Sequence, residues 1–239
     1  MSTPLWQHPL MASLEDGALR PGGLQLTRTA YDKLNISSAT RILDAGCGNG
    51  TTAQFLQQHY SAHVTTIDLS EQNTKQAHQK ALCTVQASVD HLPFCDNAFN
   101  IVNCDCVLSL CSSVETAVAE FSRVLSTGGM LILSDLYRRA QTPSCSHAPK
   151  AAPIEHTASC SNTSGCSSNP LSLPKLFKIL TNAGFTHTSS TDCTKELKEL
   201  TAKLIFSGIT PCCSKNSQDC STSYDKTIGY IQINAEKKG

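Results

Sequence analysis

The stretch Ile42-Leu43-Asp44-Ala45-Gly46-Cys47-Gly48-Asn49-Gly50 constrains the fold of this chain most tightly. A short apolar run breaks into glycines at alternate positions, and residues 51–59 then read as a helix. Glycines placed after a parallel strand let the backbone turn sharply and approach a ligand without Cβ interference. A glycine turn by itself also occurs in nicotinamide dinucleotide sites and in plain tight turns. Two details narrow the reading. The spacing is Gly46-x-Gly48-x-Gly50, whereas the dinucleotide fingerprint needs Gly-x-Gly-x-x-Gly to admit a pyrophosphate. Asp44 also stands just before the turn, where a carboxylate repels a pyrophosphate and favours a cationic ligand.

Around this turn, apolar strand runs alternate with helical stretches. Strands are expected at residues 41–44, 64–67, 83–87, 99–104 and 130–134, the last entered through the turn Thr127-Gly128-Gly129. Helices are expected at residues 71–80 and 114–125. Such spacing implies βαβ units and a mostly parallel sheet. A helix over residues 24–34 precedes this core, behind the turn Arg20-Pro21-Gly22-Gly23, which either enters that helix or closes over a ligand. Residues 141–170 are rich in Ser, Thr, Pro, Asn and Cys without apolar periodicity, and read as a mobile insertion over the active-site edge. Order resumes with a helix at residues 173–183, a strand from Phe185, a helix at residues 195–206 and a strand at residues 227–235, antiparallel and either edge or central. The sum is one doubly wound α/β domain with a seven-stranded sheet. Residues 1–39 form its helical N-terminal segment, 40–137 its ligand-binding core and 171–239 the C-terminal part of the sheet.

Composition excludes several classes. Basic and acidic residues balance at 19 each, so the chain lacks the basic footprint that a nucleic-acid backbone requires. The first residues include Glu15 and Asp16 and no unbroken apolar run, and Met130-Leu131-Ile132-Leu133 is far too short to cross a bilayer, so a cytoplasmic protein is expected. Thirteen cysteines, an odd number partly inside strand-like runs, do not form a disulfide framework, and without any Cys-x-x-Cys pair no metal site is expected.

A second carboxylate, Asp68, ends the next strand 22 residues after Gly46, where nucleoside-binding α/β folds place the acid that accepts ribose hydroxyls. It could equally cap the helix beginning near Glu71, for which Ser70 is as good a cap. With this acid the resemblance is clear. Over roughly residues 25–137 the chain resembles the class I S-adenosylmethionine-dependent methyltransferases. "LDAGCGNG" and "TTIDLS" match their first two motifs, "ASVDHLPFCDNAFNIV" is similar to their "GDAxxLPFxDxxFDxV", and "VAEFSRVLSTGGMLILSDL" is similar to "ExxRVLxPGGxLxxxD". S-adenosylmethionine fits the glycine spacing, since it carries an ammonium and a sulfonium and no phosphate. The resemblance implies that Gly46, Gly48 and Gly50 line its methionine moiety, with Asp44, Cys47 and Asn49 beside them, and that Asp68 holds the ribose next to Leu69. It places Ser88, Val89 and Asp90 at the adenine and Cys104 at the end of the fourth strand. The departure is Ser88, where the family has an aspartate that accepts from the adenine amino group.

The methyl acceptor is expected at the carboxyl ends of the fourth and fifth strands, where Asp105 and Asp135 are the carboxylate candidates for a base. Asn103-Cys104-Asp105-Cys106 stands where methyltransferases of nucleobase amines carry Asn/Asp-Pro-Pro-Tyr/Phe, which argues against that reaction and for a small-molecule acceptor. Two alternatives stay open. The cysteine-rich segments are loosely similar to arsenite methyltransferases, with Cys160, Cys166, Cys212 and Cys213 as candidate thiolates. The chain could also be an accessory protein that binds the cofactor and transfers nothing.

Overall fold

The computed structural model describes residues 17–18, 20–80, 82–139, 169–206 and 227–239. Seven strands form one sheet: β1 (Arg41–Ala45), β2 (His63–Asp68), β3 (Cys83–Gln86), β4 (Phe99–Asp105), β5 (Leu125–Arg138), β6 (Phe185–Asp192) and β7 (Ile228–Lys237). Their order is β3-β2-β1-β4-β5-β7-β6. The first five strands pair in parallel, and β7 pairs antiparallel with both β5 and β6. The last strand in sequence is therefore central, which settles the choice between edge and centre. Its run of buried residues from Gly229 to Ala235 suits a strand covered on both faces. This is the doubly wound, mostly parallel α/β sheet with an antiparallel last strand expected above.

The helices divide between the two faces. Ile42 of β1 packs with Ala30 and Tyr31 of α1 (Gly23–Tyr31), Ala53 and Leu56 of α2 (Thr51–Tyr60) and Ala77 of α3 (Glu71–Gln79). Its neighbour Leu43 points the other way, as strand alternation requires, into a core with Val118 and Phe121 of α4 (Val114–Val124) and Leu176 and Leu180 of α5 (Leu173–Asn182). Helix α6 (Thr194–Phe206) seats Leu197 against Leu26, Cys193 and Tyr230. Helix starts follow side-chain caps: Ser70 Oγ accepts from Asn73 N–H and Ser113 Oγ from Thr116 N–H.

Some boundaries move. Helix α1 stops at Tyr31 rather than 34, and β5 starts at Leu125, directly after α4. The turn expected at 127–129 survives as an irregularity inside β5, where the pairing with β4 jumps from Phe99↔Leu125 to Ile101↔Met130 and Gly128 takes φ 73°. The insertion expected over residues 141–170 lies outside the described residues except for its last two. Asn169 there donates its N–H to the Ser109 carbonyl, and Leu171 bonds to the backbone of β5. Because β1 is flanked by β2 and β4, the strand order reverses beside it. A ligand crevice opens at the carboxyl ends of two strands that diverge in this way.

Candidate functional site

The glycine turn is shaped by what sits behind it. Gly46, Gly48 and Gly50 all have positive φ, at 81°, 54° and 78°. A Cβ on Gly46 would lie 2.2 Å from Val107 Cγ2, and one on Gly50 would meet Leu82 and Ala77 at 2.8 and 2.9 Å. Around Gly48 such an atom would meet nothing within 4 Å, because that residue faces the cleft. The N–H groups of Gly46 and Cys47 both donate to the Ile67 carbonyl at 2.9 Å, which ties the turn to β2.

Asp68 faces the same cleft. Its Oδ2 accepts the Gly48 N–H at 2.9 Å, while Oδ1 accepts from Ser70 N–H at 2.8 Å and from Asn73 Nδ2 at 3.1 Å. The carboxylate therefore braces the glycine turn and the start of α3 together, with Ser70 as the true cap.

Below the turn lies a buried polar chain. Asn103 spends its two amide hydrogens on Asp44 Oδ1 and Asp105 Oδ2, both at 2.9 Å, and so separates two carboxylates. Arg20 Nε lies 3.1 Å from Asp105 Oδ2. Ser134 Oγ also bonds Asp105, and shares a 2.8 Å contact with Tyr230 Oη. Arg20 donates through Nη2 to Thr27 Oγ1. Three atoms of this chain lack a well-formed hydrogen bond to the protein. They are Asp44 Oδ2 and two nitrogens of Arg20, Nε and Nη1, of which Nε still faces the Asp105 carboxylate; Tyr230 is a polar neighbour of the guanidinium. Burial pushes the Asp44 carboxyl up to about 7; the Asn103 bond opposes the rise and the Asp105 charge adds to it. Burial also works against the Arg20 charge, but Asp105 and Tyr230 outweigh it and the guanidinium is held more firmly charged than usual.

Asp44 and Arg20 both line one small recess of about 70 Å³, together with Cys47, Asn49 and Thr51. Asn49 also holds the start of α2, its Oδ1 accepting the Thr51 N–H at 3.1 Å. Gly46, Gly48, Asp105 and Cys106 border this recess and also a larger cleft of about 650 Å³. Leu69, Val89, Val107 and Leu110 give that cleft apolar walls, and Asp68, Ser88 and Asp90 stand among them. Gly50 lines neither cavity and acts through the turn it closes.

Two expected site residues sit elsewhere. Cys104 is 1% exposed and packs in the core under α4, lining neither cavity. Cys106 reaches the cleft in its place, through a left-handed φ of 57° held by its N–H bond to the Ser134 carbonyl at 2.7 Å and by Tyr230 Oη at 3.2 Å. Burial raises the Cys106 thiol well above its ordinary range, so it faces the cleft as a neutral group. Asp135 is also 1% exposed and lines neither cavity; it accepts backbone N–H groups from Ser109 at 2.9 Å and Leu136 at 2.7 Å. Burial lifts it to about 6. Asp135 thereby fixes the loop that carries Val107 and Leu110. Cys160, Cys166, Cys212 and Cys213 lie outside the described residues, and among the described residues no three metal-ligating side chains gather. No described helix is long and apolar enough to cross a membrane.

The sequence reading raised Arg20 only within a turn that either enters a helix or closes over a ligand, and did not single out Asn103 or Tyr230 as site residues. Arg20 was legible only as part of a turn, since its partner Asp105 is far away in the chain.

Against this geometry, comparison with known proteins is decisive for the fold. Residues 43–133 match a family described as "Methyltransferase domain". The matched segment contains the glycine turn, Asp68 and both walls of the cleft. An uncharacterized methyltransferase, YodH of Bacillus subtilis (strain 168), is 37% identical over 118 residues, 47% of this chain and 50% of that protein. The chain spans about half or less of the length of the curated relatives it matches. Among solved structures, geranyl diphosphate methyltransferase in complex with S-adenosylmethionine aligns over 90% of this chain and 85% of that one, with a TM-score of 0.67 at 16% identity. The [4+2]-cyclase SpnF aligns over 90% and 81%, with a TM-score of 0.65 at 19% identity. The chain thus has the Rossmann-like α/β fold of these solved structures, and the activity must be argued from its site.

Proposed function

We propose that this chain binds S-adenosylmethionine and transfers its methyl group to a small molecule. The observation that carries the reading is Asp44 Oδ2, buried without a partner, beside the charged Arg20 guanidinium, both residues lining the small recess. Buried groups of opposite charge with open bonding positions are costly unless a ligand completes them. An amino-acid end, ammonium and carboxylate together, supplies one partner for each. Asp44 takes the ammonium and Arg20 the carboxylate, while Gly48 leaves the room beside them. Asp68 faces the ribose from the turn it braces, and Leu69 with Val89 and Val107 gives the purine apolar contact.

The cofactor, when bound, supplies a methyl group activated on a sulfonium. The residues common to recess and cleft, Gly46, Gly48, Asp105 and Cys106, border the place where that centre would lie. Asp105 is fully engaged by Arg20, Asn103 and Ser134, so we read it as the anchor of Arg20 rather than as a base. Asp135 is engaged by backbone N–H groups and we read it as a loop anchor. The protein's contribution is then mainly alignment and exclusion of water. Relatives named for small-molecule acceptors, phosphoethanolamine and geranyl diphosphate, and the balanced charge both support a small-molecule acceptor over a nucleic acid.

Calorimetric titration with S-adenosylmethionine, its demethylated product and NAD tests the reading. Binding of both sulfur nucleosides without NAD is expected. Tight NAD binding with no response to either sulfur nucleoside would overturn it.

A further inference from the structure

We infer that Asp90, rather than Ser88, recognises the exocyclic amino group of the cofactor's adenine; this rests on the cofactor reading above. The motif places a serine where the resembled family has an accepting aspartate. Here that serine is engaged in shaping a turn. Ser88 Oγ accepts the Asp90 N–H at 3.3 Å, and the Ser88 carbonyl accepts the His91 N–H at 3.2 Å. The turn sets Asp90 on the wall of the large cleft, with its Oδ1 buried and without a partner. A buried carboxylate oxygen left in this way costs free energy that a ligand donor would recover.

The surroundings say which donor. Asp90 shares the wall with Val89, Val107 and Cys111, an apolar slot suited to the flat faces of a purine. The Cys111 thiol is pushed up to about 11, first by burial and then by the Asp90 charge, so the carboxylate acts at the apolar end of the cleft. The loop is fixed from behind. Arg123 donates to the Leu92 carbonyl at 3.0 Å and the Phe94 carbonyl at 2.7 Å, and Glu120 accepts the Leu92 N–H at 2.7 Å. A carboxylate only accepts. A 6-aminopurine offers it an N–H, whereas a 6-oxopurine would set a second acceptor against it. Asp90 therefore makes the site selective for an amino group at that ring position.

The test is calorimetry with S-adenosylhomocysteine and its 6-oxo counterpart, S-inosylhomocysteine. The wild-type chain should prefer the amino compound by about tenfold or more, the range of a hydrogen bond to a charged group. Asp90→Ala should lose that preference by weakening only the amino compound. Asp90→Asn, whose amide can accept or donate, should narrow it to about threefold. The preference is a ratio between two ligands of the same folded protein, so lost stability does not move it. Asp90→Ala retaining the full preference would overturn the assignment. Failure of the wild-type chain to bind S-adenosylhomocysteine would overturn the cofactor reading, and this assignment with it.

Discussion

At one end of the cleft Asp44, Asn103, Asp105 and Arg20 lie buried in a continuous chain of polar contacts; at the other, Leu69 and Leu110 stand 72% and 47% exposed beside Val89. The first end is rigid, charged and preformed, and its open atoms discriminate sharply between ligands. The second is apolar and accessible, and its gain is the area a ligand removes from water. The response to pH should therefore come from the Asp44 end, and from the Leu69 end modest, additive affinity beside the amino-group preference set by Asp90.

Gly46→Ala should do the most damage. Its Cβ would meet Val107 Cγ2 at 2.2 Å on a backbone of φ 81°. Overpacking and left-handed strain each cost about 1–3 kcal/mol. We expect sulfur-nucleoside binding to vanish and the melting temperature to drop by about 5 °C or more. Gly48→Ala, at φ 54° with open space around it, should carry only the left-handed strain of about 1–2 kcal/mol, and so melt above Gly46→Ala while also losing binding. Equal melting of wild type and Gly46→Ala would refute the role given to Val107 in fixing the turn.

Asp44→Asn comes next. The amide can still accept from Asn103, but it offers no charge to an ammonium. Losing one partner of a buried charge pair costs about 2–5 kcal/mol, so affinity for S-adenosylhomocysteine should fall about 30-fold or more. A loss under about threefold would place the ligand's ammonium elsewhere.

These contrasts also mark what the sequence discloses. The strands were legible because apolar runs such as Ile42-Leu43 and Ile101-Val102 are buried on both sheet faces, and the site's glycines and Asp68 because local chemistry dictates them. The displacement of Cys104 by Cys106 was not legible, since cysteine rarely takes a left-handed φ and the cause is a bond to Ser134 on another strand. Arg20 was hidden for the same reason: its burial is explained by Asp105 and Tyr230, which only the fold brings near. The central place of β7 also depends on which strands pair, and alternation within one strand does not encode that.

A smaller effect follows from pH. Asp44 titrates at about 7 in the folded protein against an ordinary 3.8. A bound ammonium needs the ionised form, so affinity should fall about fivefold from pH 7 to pH 6 and level off above pH 8. Fold stability should move the opposite way. Between about pH 7 and pH 4 the folded chain holds a proton that the unfolded chain releases, so this group adds stability as pH falls. Thermal melts of wild type and Asp44→Asn over that window check the sign, and a wild type that gains nothing relative to the variant on acidification would contradict it.

Leu69→Ala should be the mildest change. Removing part of an apolar wall costs about 1 kcal/mol, roughly fivefold in affinity, with no change in pH response. A larger loss than that of Asp44→Asn would reverse the ranking of the two ends.

The central claim is that a buried, partly protonated Asp44 receives the cofactor's ammonium. Calorimetry of S-adenosylhomocysteine binding in buffers of different ionisation enthalpy reads this directly. Near pH 6 binding should release close to one proton, near pH 8 almost none, and Asp44→Asn should release none at either pH. Binding at pH 6 with no proton release, or with equal release from Asp44→Asn, would contradict the account.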